Sequence, residues 1–214
     1  NHQWGMKKTP TDGSFTLSKK EILLMIMEDV MKLKKAVFLD RDGVINEVLT
    51  ERVKFVNSPE DLYFLPGVPE AIQKLNAHFD YLFVVTNQGG VGLGFMSERQ
   101  LIHIHQYMID ELKKNGATID EVAYCPHKPR AGCACRKPNS KLIEDLAQKY
   151  HVDLTKSYMV GDTDTDIIAG KKAGTKSVFL GENDPLADAI FPDLWTAADW
   201  MIEDAEKNST IEDI

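Results

Sequence analysis

The sequence predicts an α/β fold built around a parallel β-sheet. Short apolar runs, each long enough for one strand, alternate with longer segments in which apolar residues recur at helical spacing. This alternation is typical of parallel strands joined by crossover helices. The predicted strands span residues 36–39, 81–85, 121–124, 157–160 and 177–180. The predicted helices span residues 68–77, 98–114, 140–150 and 165–173.

The composition indicates a globular protein. With 214 residues, 43% of them hydrophobic and 27% charged, the chain can bury a substantial core. The longest apolar run, residues 22–27, is far shorter than the ~20 residues of a membrane span, and no signal-peptide cleavage site follows it. A formal charge of −8 disfavours a general nucleic-acid binder, because such proteins contact phosphates through clustered Lys and Arg. We therefore expect a cytoplasmic monomer that binds neither nucleic acids nor membranes.

The first 30 residues differ from the rest of the chain. Residues 1–13 are polar and rich in turn formers, whereas Ser18 and Glu21 form a candidate capping box before a helical stretch that ends near Leu33. We expect residues 1–30 to be an N-terminal extension, loose or partly helical, and residues 31–214 to form a single domain. An alternative is that Met31 is the natural start, since the α/β pattern begins directly after it.

Two carboxylates follow the first predicted strand. Asp40 ends the apolar run, and Asp42 comes two residues later, just before a turn at Gly43. In open α/β sheets, ligands bind beyond the carboxyl ends of the strands. Asp40 can attack phosphorus there and form an aspartyl phosphate, while Asp42 can act as general acid for the leaving alcohol and later as general base for water. The alternative is a solvated turn that contains an ion pair.

Both carboxylates would repel an incoming phosphate, so the predicted site requires a divalent cation. Mg²⁺ prefers hard oxygen ligands and keeps several waters. Asp40, Asp162 and the backbone carbonyl of Asp42 would therefore suffice as protein ligands. Asp162 follows the fourth predicted strand, and Thr163 or Asp164 is a candidate cap of the helix after it.

Further polar groups complete a candidate phosphoryl-transfer site. Thr86 ends the second strand, where its hydroxyl can hold a phosphoryl oxygen, and Asn87 beside it is a candidate for substrate binding. Lys137 supplies a fixed positive charge for the phosphoryl oxygens, and Arg136 can clamp a substrate oxygen. We expect Asp166 to orient Lys137 or a metal-bound water. The alternatives are a simple turn or helix cap at Thr86 and an exposed basic pair.

All three cysteines of the chain lie in one loop, together with a histidine. Cys125, His127, Cys133 and Cys135 form a Cys₃His set, which is a known tetrahedral zinc set. A cytosolic protein would keep its thiols reduced, so a disulfide framework is not expected. The set leaves no open coordination position, and the zinc would therefore be structural and would fix the loop that carries Arg136. The alternative is free thiols beside a surface histidine.

These motifs together resemble the haloacid dehalogenase superfamily, and within it the capless phosphatases of the heptose-bisphosphate and histidinol-phosphate group. The resemblance implies a capless, Rossmann-like three-layer sandwich with a zinc-binding loop. It implies an Mg²⁺-dependent phosphatase in which the residues named above have the roles described for them. The motifs are Asp40-Arg41-Asp42-Gly43-Val44-Ile45-Asn46, Thr86-Asn87-Gln88, the loop from Cys125 to Cys135, Cys135-Arg136-Lys137-Pro138 and Gly161-Asp162.

The substrate implied by the resemblance is a small phosphorylated metabolite. Residues 44–46, 65–68 and 86–89 most resemble the D-glycero-D-manno-heptose 1,7-bisphosphate phosphatases, which implies removal of the 7-phosphate. Residues 90–95, however, lack the arginine that those enzymes usually have there. Lys54, Lys128 or Arg130 are candidates to replace it, because a bisphosphate needs a second cationic partner. The glycine-rich loop 89–94 is either a flexible connector or a phosphate cradle.

Two other functions remain as alternatives. Only five residues separate His127 from Cys133, and this short zinc loop resembles the histidinol-phosphate phosphatases; other sugar phosphates are also candidate substrates. From another class, a non-catalytic phospho-acceptor module would place an acceptor aspartate beside acids, a threonine and a lysine. Such a module needs no second acid two residues after the acceptor, where this chain has Asp42.

Overall fold

The computed structural model describes residues 33–212. The expected N-terminal extension, with its candidate helix, lies outside this range, and the expected domain boundary near residue 31 therefore stays a prediction.

The described chain alternates strands and helices. The strands are β1 (Ala36–Leu39), β2 (Tyr81–Asn87), β3 (Glu121–Cys125), β4 (Tyr158–Gly161), β5 (Lys176–Leu180) and β6 (Ala189–Phe191). The helices are α1 (Val68–Asn76), α2 (Gly89–Gly92), α3 (Glu98–Lys114), α4 (Lys141–Tyr150), α5 (Asp164–Ala173) and α6 (Leu194–Glu212). Two 3₁₀ turns occur at Pro59–Asp61 and Leu154–Lys156.

The strands form one sheet in the order β3-β2-β1-β4-β5-β6, and all five pairings between neighbours are parallel. This is the doubly wound order: from β1 the successive strands are added towards one edge of the sheet, and from β4 they are added towards the other edge. The carboxyl ends of β1 and β4 therefore flank a crevice. Leu39 pairs with Val160 at this point, so the residues that follow the two strands lie side by side.

Buried side chains alternate between the two faces of the sheet. On β1, Val37 and Leu39 pack into one core with α1, α3 and α6, whereas Ala36 and Phe38 pack into a second core with α4 and α5. Strands that are buried on both faces require continuous apolar runs, as the sequence has. The predicted three-layer sandwich with a parallel central sheet is thus confirmed.

The structure extends the predicted elements in two places. β2 continues to Asn87 and β3 to Cys125, where these two residues pair, so that Thr86 lies inside a strand rather than after one. β6 and α6 had not been predicted. The three residues of β6 give almost no periodic signal, and α6 buries small residues such as Ala197 and Ala198 that do not stand out as an apolar face.

Residues 40–67, which connect β1 to α1, contain a single 3₁₀ turn at Pro59–Asp61. The connection carries no inserted domain, and the predicted capless architecture is confirmed. Among the described helices, none combines the length and the apolar character needed to cross a membrane.

Candidate active site

Three carboxylates converge at the crevice between β1 and β4. Asp40 follows β1, Asp162 follows β4, and Asp166 lies in the first turn of α5; one oxygen of each lies within 4.8 Å of the others. Burial raises the pKa of Asp40 to about 7, with Lys137 opposing this effect and Asp166 and Asp42 adding to it. Burial, followed by repulsion from Asp166, raises the pKa of Asp162 to about 6. Such a cluster of carboxylates is stabilised either by protonation of one of them or by a bound cation.

Lys137 is the one positive group inside this cluster among the described residues. Its Nζ lies 2.8 Å from Asp40 Oδ1 and 2.6 Å from Asp166 Oδ1, and it donates a hydrogen bond to the carbonyl of Val85 at 2.6 Å. The side chain is 1% exposed. Burial opposes its charge, but Asp40 and Asp166 outweigh burial and keep the pKa of Lys137 above its ordinary value. The predicted support of Lys137 by Asp166 agrees with this contact.

Asn87 fixes the backbone of Lys137. Its Oδ1 accepts a hydrogen bond from the Lys137 amide at 3.0 Å, and its Nδ2 donates to the Lys137 carbonyl at 3.2 Å. Both polar atoms of the side chain are therefore engaged in positioning the lysine. Substrate binding by Asn87, which the sequence suggested, stays a prediction.

Asp42 is held by a guanidinium group that is almost fully buried. Arg41 Nη2 donates to both carboxylate oxygens of Asp42, at 2.7 and 2.9 Å, and the Arg41 side chain is only 1% exposed. Asn46 Nδ2 donates to Asp42 as well, at 3.0 Å. Burial raises the pKa of Asp42, but Arg41 and these hydrogen bonds outweigh burial and hold it below its ordinary value. The ion pair considered as an alternative thus exists, but its arginine is buried rather than solvated.

His105 on α3 completes the surroundings of Arg41. Its Nε2 lies 3.3 Å from Arg41 Nη1. Burial and the charge of Arg41 lower the pKa of His105 to about 3, so the imidazole is neutral and its Nε2 can accept the hydrogen bond. This contact links the turn after β1 to α3, between residues that are 64 positions apart in the sequence.

Gln88 connects Asp42 to Thr86. Its Nε2 donates to Asp42 Oδ2 at 3.0 Å and to Thr86 Oγ1 at 2.9 Å. Thr86 is buried, with 1% of its surface exposed. Sequence reasoning had not assigned roles to Arg41, His105 or Gln88. Arg41 could have been noticed as the sequence neighbour of Asp42. The contacts of Gln88 and His105 are seen only in the structure.

Gly43 allows the turn after β1 to approach β4. Its φ is +85°, a conformation that residues with a side chain rarely adopt. A Cβ at this position would lie 1.9 Å from Asp162 Oδ2. The glycine therefore lets the turn with Asp42 and the carboxylate of Asp162 occupy one site.

The acidic cluster fits a hard divalent cation. Asp162 Oδ1 is buried and has no hydrogen-bond partner among the described residues. Such an orphaned carboxylate oxygen is costly unless a cation binds it. The carboxylates of Asp40 and Asp162, which were predicted to bind magnesium together with the Asp42 carbonyl, lie together, and the structure adds Asp166 as a third nearby carboxylate.

The four predicted zinc ligands also converge. Cys125 Sγ lies 3.5 Å from Cys133 Sγ and 3.2 Å from Cys135 Sγ, and His127 Nδ1 lies 3.2 Å from Cys135 Sγ. In a tetrahedral zinc site with bonds of about 2.3 Å, neighbouring sulfurs are about 3.8 Å apart. Burial and the neighbouring thiols raise the pKa of Cys135 to about 12, so several thiolates require a cation at this place. The set fits zinc. Strand β3 positions one of the four ligands, since Cys125 is the last residue of that strand.

Helix α2 packs against this loop. The amide of Gly92 donates to the carbonyl of Pro126 at 2.8 Å, and a Cβ on Gly92 would lie 2.5 Å from the amide nitrogen of Lys128. Residues 89–92 of the glycine-rich loop 89–94 are thus not a free connector. They form a helical turn that is pressed onto the cysteine-rich loop.

Two cavities open beside Asn87. The first has a volume of about 680 Å³ and a floor formed by Arg41, Asp42 and Gln88; apolar side chains form most of its walls. The second has a volume of about 350 Å³ and is lined by Arg130, Arg136 and Lys137, among others. Arg136 also donates a hydrogen bond to the carbonyl of His127 at 3.3 Å, which ties it to the zinc loop.

Comparisons with known proteins agree with this geometry. A family model described as HAD-hydrolase-like matches residues 134–194. The D-glycero-beta-D-manno-heptose-1,7-bisphosphate 7-phosphatase of Rhodopseudomonas palustris is 43% identical over 158 residues, which are 70% of this chain and 86% of that protein. The protein of the same name from Helicobacter pylori is 34% identical over 157 residues, which are 73% of this chain and 88% of that protein.

A solved structure is similar over nearly its whole length. It is the D,D-heptose 1,7-bisphosphate phosphatase from B. bronchiseptica, complexed with magnesium and phosphate; the TM-score is 0.71 at 32% identity, covering 79% of this chain and 99% of that one. The identities and the covered lengths are those of members of one family. The chain therefore belongs to the haloacid dehalogenase-like phosphatases, the family that contains these relatives.

Proposed function

We propose that this protein hydrolyses a sugar phosphate through an aspartyl phosphate on Asp40, and that D-glycero-D-manno-heptose 1,7-bisphosphate is its substrate. The observation that carries the proposal is the convergence of Asp40, Asp162 and Lys137 at the switch point of the sheet, with Asp42 beside them. A nucleophile, a cation site, a fixed positive charge and a second acid are the parts that a two-step phosphoryl transfer requires.

In the first step, an oxygen of Asp40 attacks phosphorus and the bond from phosphorus to the leaving oxygen breaks. Asp42 gives its proton to that oxygen, and the alcohol departs. Asp42 is ionised in the free site, since Arg41 and Asn46 hold its pKa down. The negative charge of an arriving phosphate monoester favours protonation of Asp42, because like charges raise the pKa of a carboxyl group.

In the second step, Asp42 accepts a proton from a water molecule that attacks the aspartyl phosphate. The bond between the Asp40 oxygen and phosphorus breaks, inorganic phosphate is released, and the Asp40 carboxylate is restored. Lys137 and Thr86 would hold the phosphoryl oxygens during both steps, and Arg136 would bind the substrate. Mg²⁺ held by Asp40, Asp162 and the Asp42 carbonyl would neutralise charge on the phosphoryl group, and Asp166 would fix Lys137 beside it.

Zinc has a structural role in this proposal. Cys125, His127, Cys133 and Cys135 would bind it and leave no position open for substrate. The loop that they close leads directly into Arg136 and Lys137, so zinc would hold the substrate-binding cations in place.

The choice of sugar rests on the activity named for the relatives and on the cations of the second cavity. Arg130 and Arg136 line that cavity next to Lys137, and they are placed to take the second phosphate of a bisphosphate. Of the three cations considered as replacements for the missing arginine, Arg130 lines a cavity beside the site, whereas Lys54 and Lys128 line neither cavity. Histidinol phosphate is the second candidate, favoured by the five residues between His127 and Cys133.

The test is steady-state kinetics with Mg²⁺ on heptose 1,7-bisphosphate, other sugar phosphates and histidinol phosphate. Asp40→Asn should abolish phosphate release from every substrate. Arg130→Ala and Arg136→Ala should raise KM for the bisphosphate more than for a monophosphate. Equal turnover by wild type and Asp40→Asn would refute the enzyme assignment, and a stable phosphoprotein without turnover would instead indicate the phospho-acceptor module.

A further inference from the structure

The cavity above Asp42 has an unusual lining for a site that binds sugar phosphates. Its walls carry Phe55, Leu93 and Phe95, which are 63%, 50% and 74% exposed. Phe95 is the most exposed large apolar side chain among the described residues. Exposed apolar side chains that gather around one concave surface mark a binding site.

The position of this cavity indicates which part of a substrate would bind in it. Asp42 and Gln88 lie in its floor, and Asp42 is the acid that protonates the leaving oxygen. A group bonded to the leaving oxygen can therefore extend from Asp42 into the cavity. The cavity is continuous with the catalytic floor, and its volume of about 680 Å³ is ample for a ring of six to ten carbon atoms, on the order of the size of small-ligand pockets.

The lining of the cavity offers a second anion no free cationic side chain. Arg41 is the one cation in its lining, and this side chain is 1% exposed and paired with Asp42 through both carboxylate oxygens. A second phosphate in the cavity would meet no cation that is free to bind it. The cations that are available, Arg130 and Arg136, line the other cavity.

We propose that the cavity formed by Phe55, Leu93, Phe95 and the catalytic floor is a leaving-group subsite for an apolar ring. The enzyme then has a further activity, the hydrolysis of phosphate monoesters whose alcohol carries such a ring and no second anion. This inference rests on the proposed phosphatase function, because it uses the same nucleophile and the same acid. Phe95 is its specificity-determining residue.

The experiment compares two esters whose leaving groups are both alkyl alcohols, benzyl phosphate and glycerol 1-phosphate, so that leaving-group acidity does not dominate. Wild type with Mg²⁺ should prefer benzyl phosphate. Phe95→Ala should lower kcat/KM for benzyl phosphate about tenfold, mainly through KM, as expected for loss of one aromatic contact of about 1.4 kcal/mol. Glycerol 1-phosphate should change less than about twofold.

The control variant is Ile102→Ala. Ile102 is 54% exposed on α3 and does not line the cavity, so its truncation should leave both esters unaffected. Phe55→Ala tests a second apolar lining residue and should act in the same direction as Phe95→Ala, while Phe95→Tyr should retain the preference.

Three outcomes would overturn the inference. One is equal use of the two esters by wild type. Another is an equal loss on both esters in Phe95→Ala. The third is a change of oligomeric state in Phe95→Ala without a change in ester preference, which would make the apolar wall a protein contact. Failure of the proposed function is distinguishable, because no ester at all would then be hydrolysed, heptose 1,7-bisphosphate included.

Discussion

At the scale of single residues, Asp40 is held in an environment that disfavours its charge. Burial is the largest cause, and Asp166 and Asp42 add to it despite Lys137, so that the pKa of Asp40 lies at about 7. The unfolded chain has a carboxyl pKa near 4 at this position. A group whose folded pKa is raised loses its contribution to stability as the pH rises through the folded value.

We predict that Asp40→Asn stabilises the protein at pH 8 when Mg²⁺ is absent. The variant removes a carboxylate whose charge is unfavourable in the folded protein. The free energy of unfolding should therefore rise by more than about 1 kcal/mol, which corresponds to a few degrees in Tm. This gain should shrink towards pH 4, where Asp40 is protonated in the folded chain and about half protonated in the unfolded chain. The measurement is thermal unfolding at both pH values in magnesium-free buffer that contains no zinc chelator.

The matched control is Asp145→Asn, because Asp145 is an exposed carboxylate paired with Lys141 on α4. It should show no such gain at pH 8. Added Mg²⁺ should raise the Tm of wild type and leave that of Asp40→Asn almost unchanged. A variant that is less stable than wild type at pH 8 would show that Asp40 is not under electrostatic strain.

Gln88 supports a second prediction at this scale. Its amide joins Asp42 to Thr86, and the hydrogen bond to Asp42 favours the ionised carboxylate. Gln88→Leu should lower kcat about tenfold, since the acid loses one of its positioning contacts. It should also move the acid limb of the kcat profile to higher pH, because the pKa of Asp42 rises. Gln88→Glu keeps the length of the side chain but not its hydrogen-bond donor, and it should not restore the pH profile. An unchanged acid limb of the kcat profile in Gln88→Leu would contradict the assigned contact between Gln88 and Asp42.

At the scale of elements, the cysteine-rich loop joins β3 to the two cations of the site. Cys125 ends β3, Cys135 directly precedes Arg136, and Arg136 donates back to the loop at the carbonyl of His127. A metal that clamps this loop would therefore act on the position of Arg136 rather than on the chemistry.

We predict that Cys133→Ser releases the metal and raises KM at least about tenfold, while kcat falls less. Metal analysis of protein purified without added zinc should find one zinc in wild type and none in the variant. Ala134→Ser, which changes an exposed neighbour in the same loop, should keep both the zinc and the KM. Full activity of a zinc-free Cys133→Ser protein would show that the loop needs no clamp.

The elements differ in how far the sequence predicts them. Strands β1, β2 and β4 are apolar on both faces, so their runs are continuous and their ends are marked by polar residues. α6 is 19 residues long but buries a face rich in alanine, and its helical period is weak in the sequence. The helix is recognised only in the tertiary structure, where it packs against the sheet and α1.

At the scale of the whole molecule, the sheet requires cover on both faces. α6 lies on the same face as α1 and α3 and contributes Leu194, Ala197 and Met201 to the larger core. Without this helix, apolar residues of β5 such as Val178 and Leu180 would lose part of the layer that covers them. The unpredicted C-terminal segment is thus part of the cooperative fold.

We predict that Met201→Ala lowers the free energy of unfolding by about 2–5 kcal/mol, as truncation of a fully buried side chain leaves a cavity. Chemical denaturation with urea measures the change. Glu203→Ala, on the exposed side of the same helix, should change stability by less than about 0.5 kcal/mol. A loss below about 1 kcal/mol in Met201→Ala would indicate that α6 is dispensable for the core.

The sequence by itself determined the fold class and, in the two predicted centres, the carboxylates, the lysine and the thiols. These features are local, because a strand period, a turn and a short ligand spacing are all contained in a few consecutive residues. The tertiary structure alone decided that His105 of α3 lies against Arg41 and that Gln88 donates a hydrogen bond to Asp42. Those properties arise from contacts between segments far apart in the chain, and only packing brings them together.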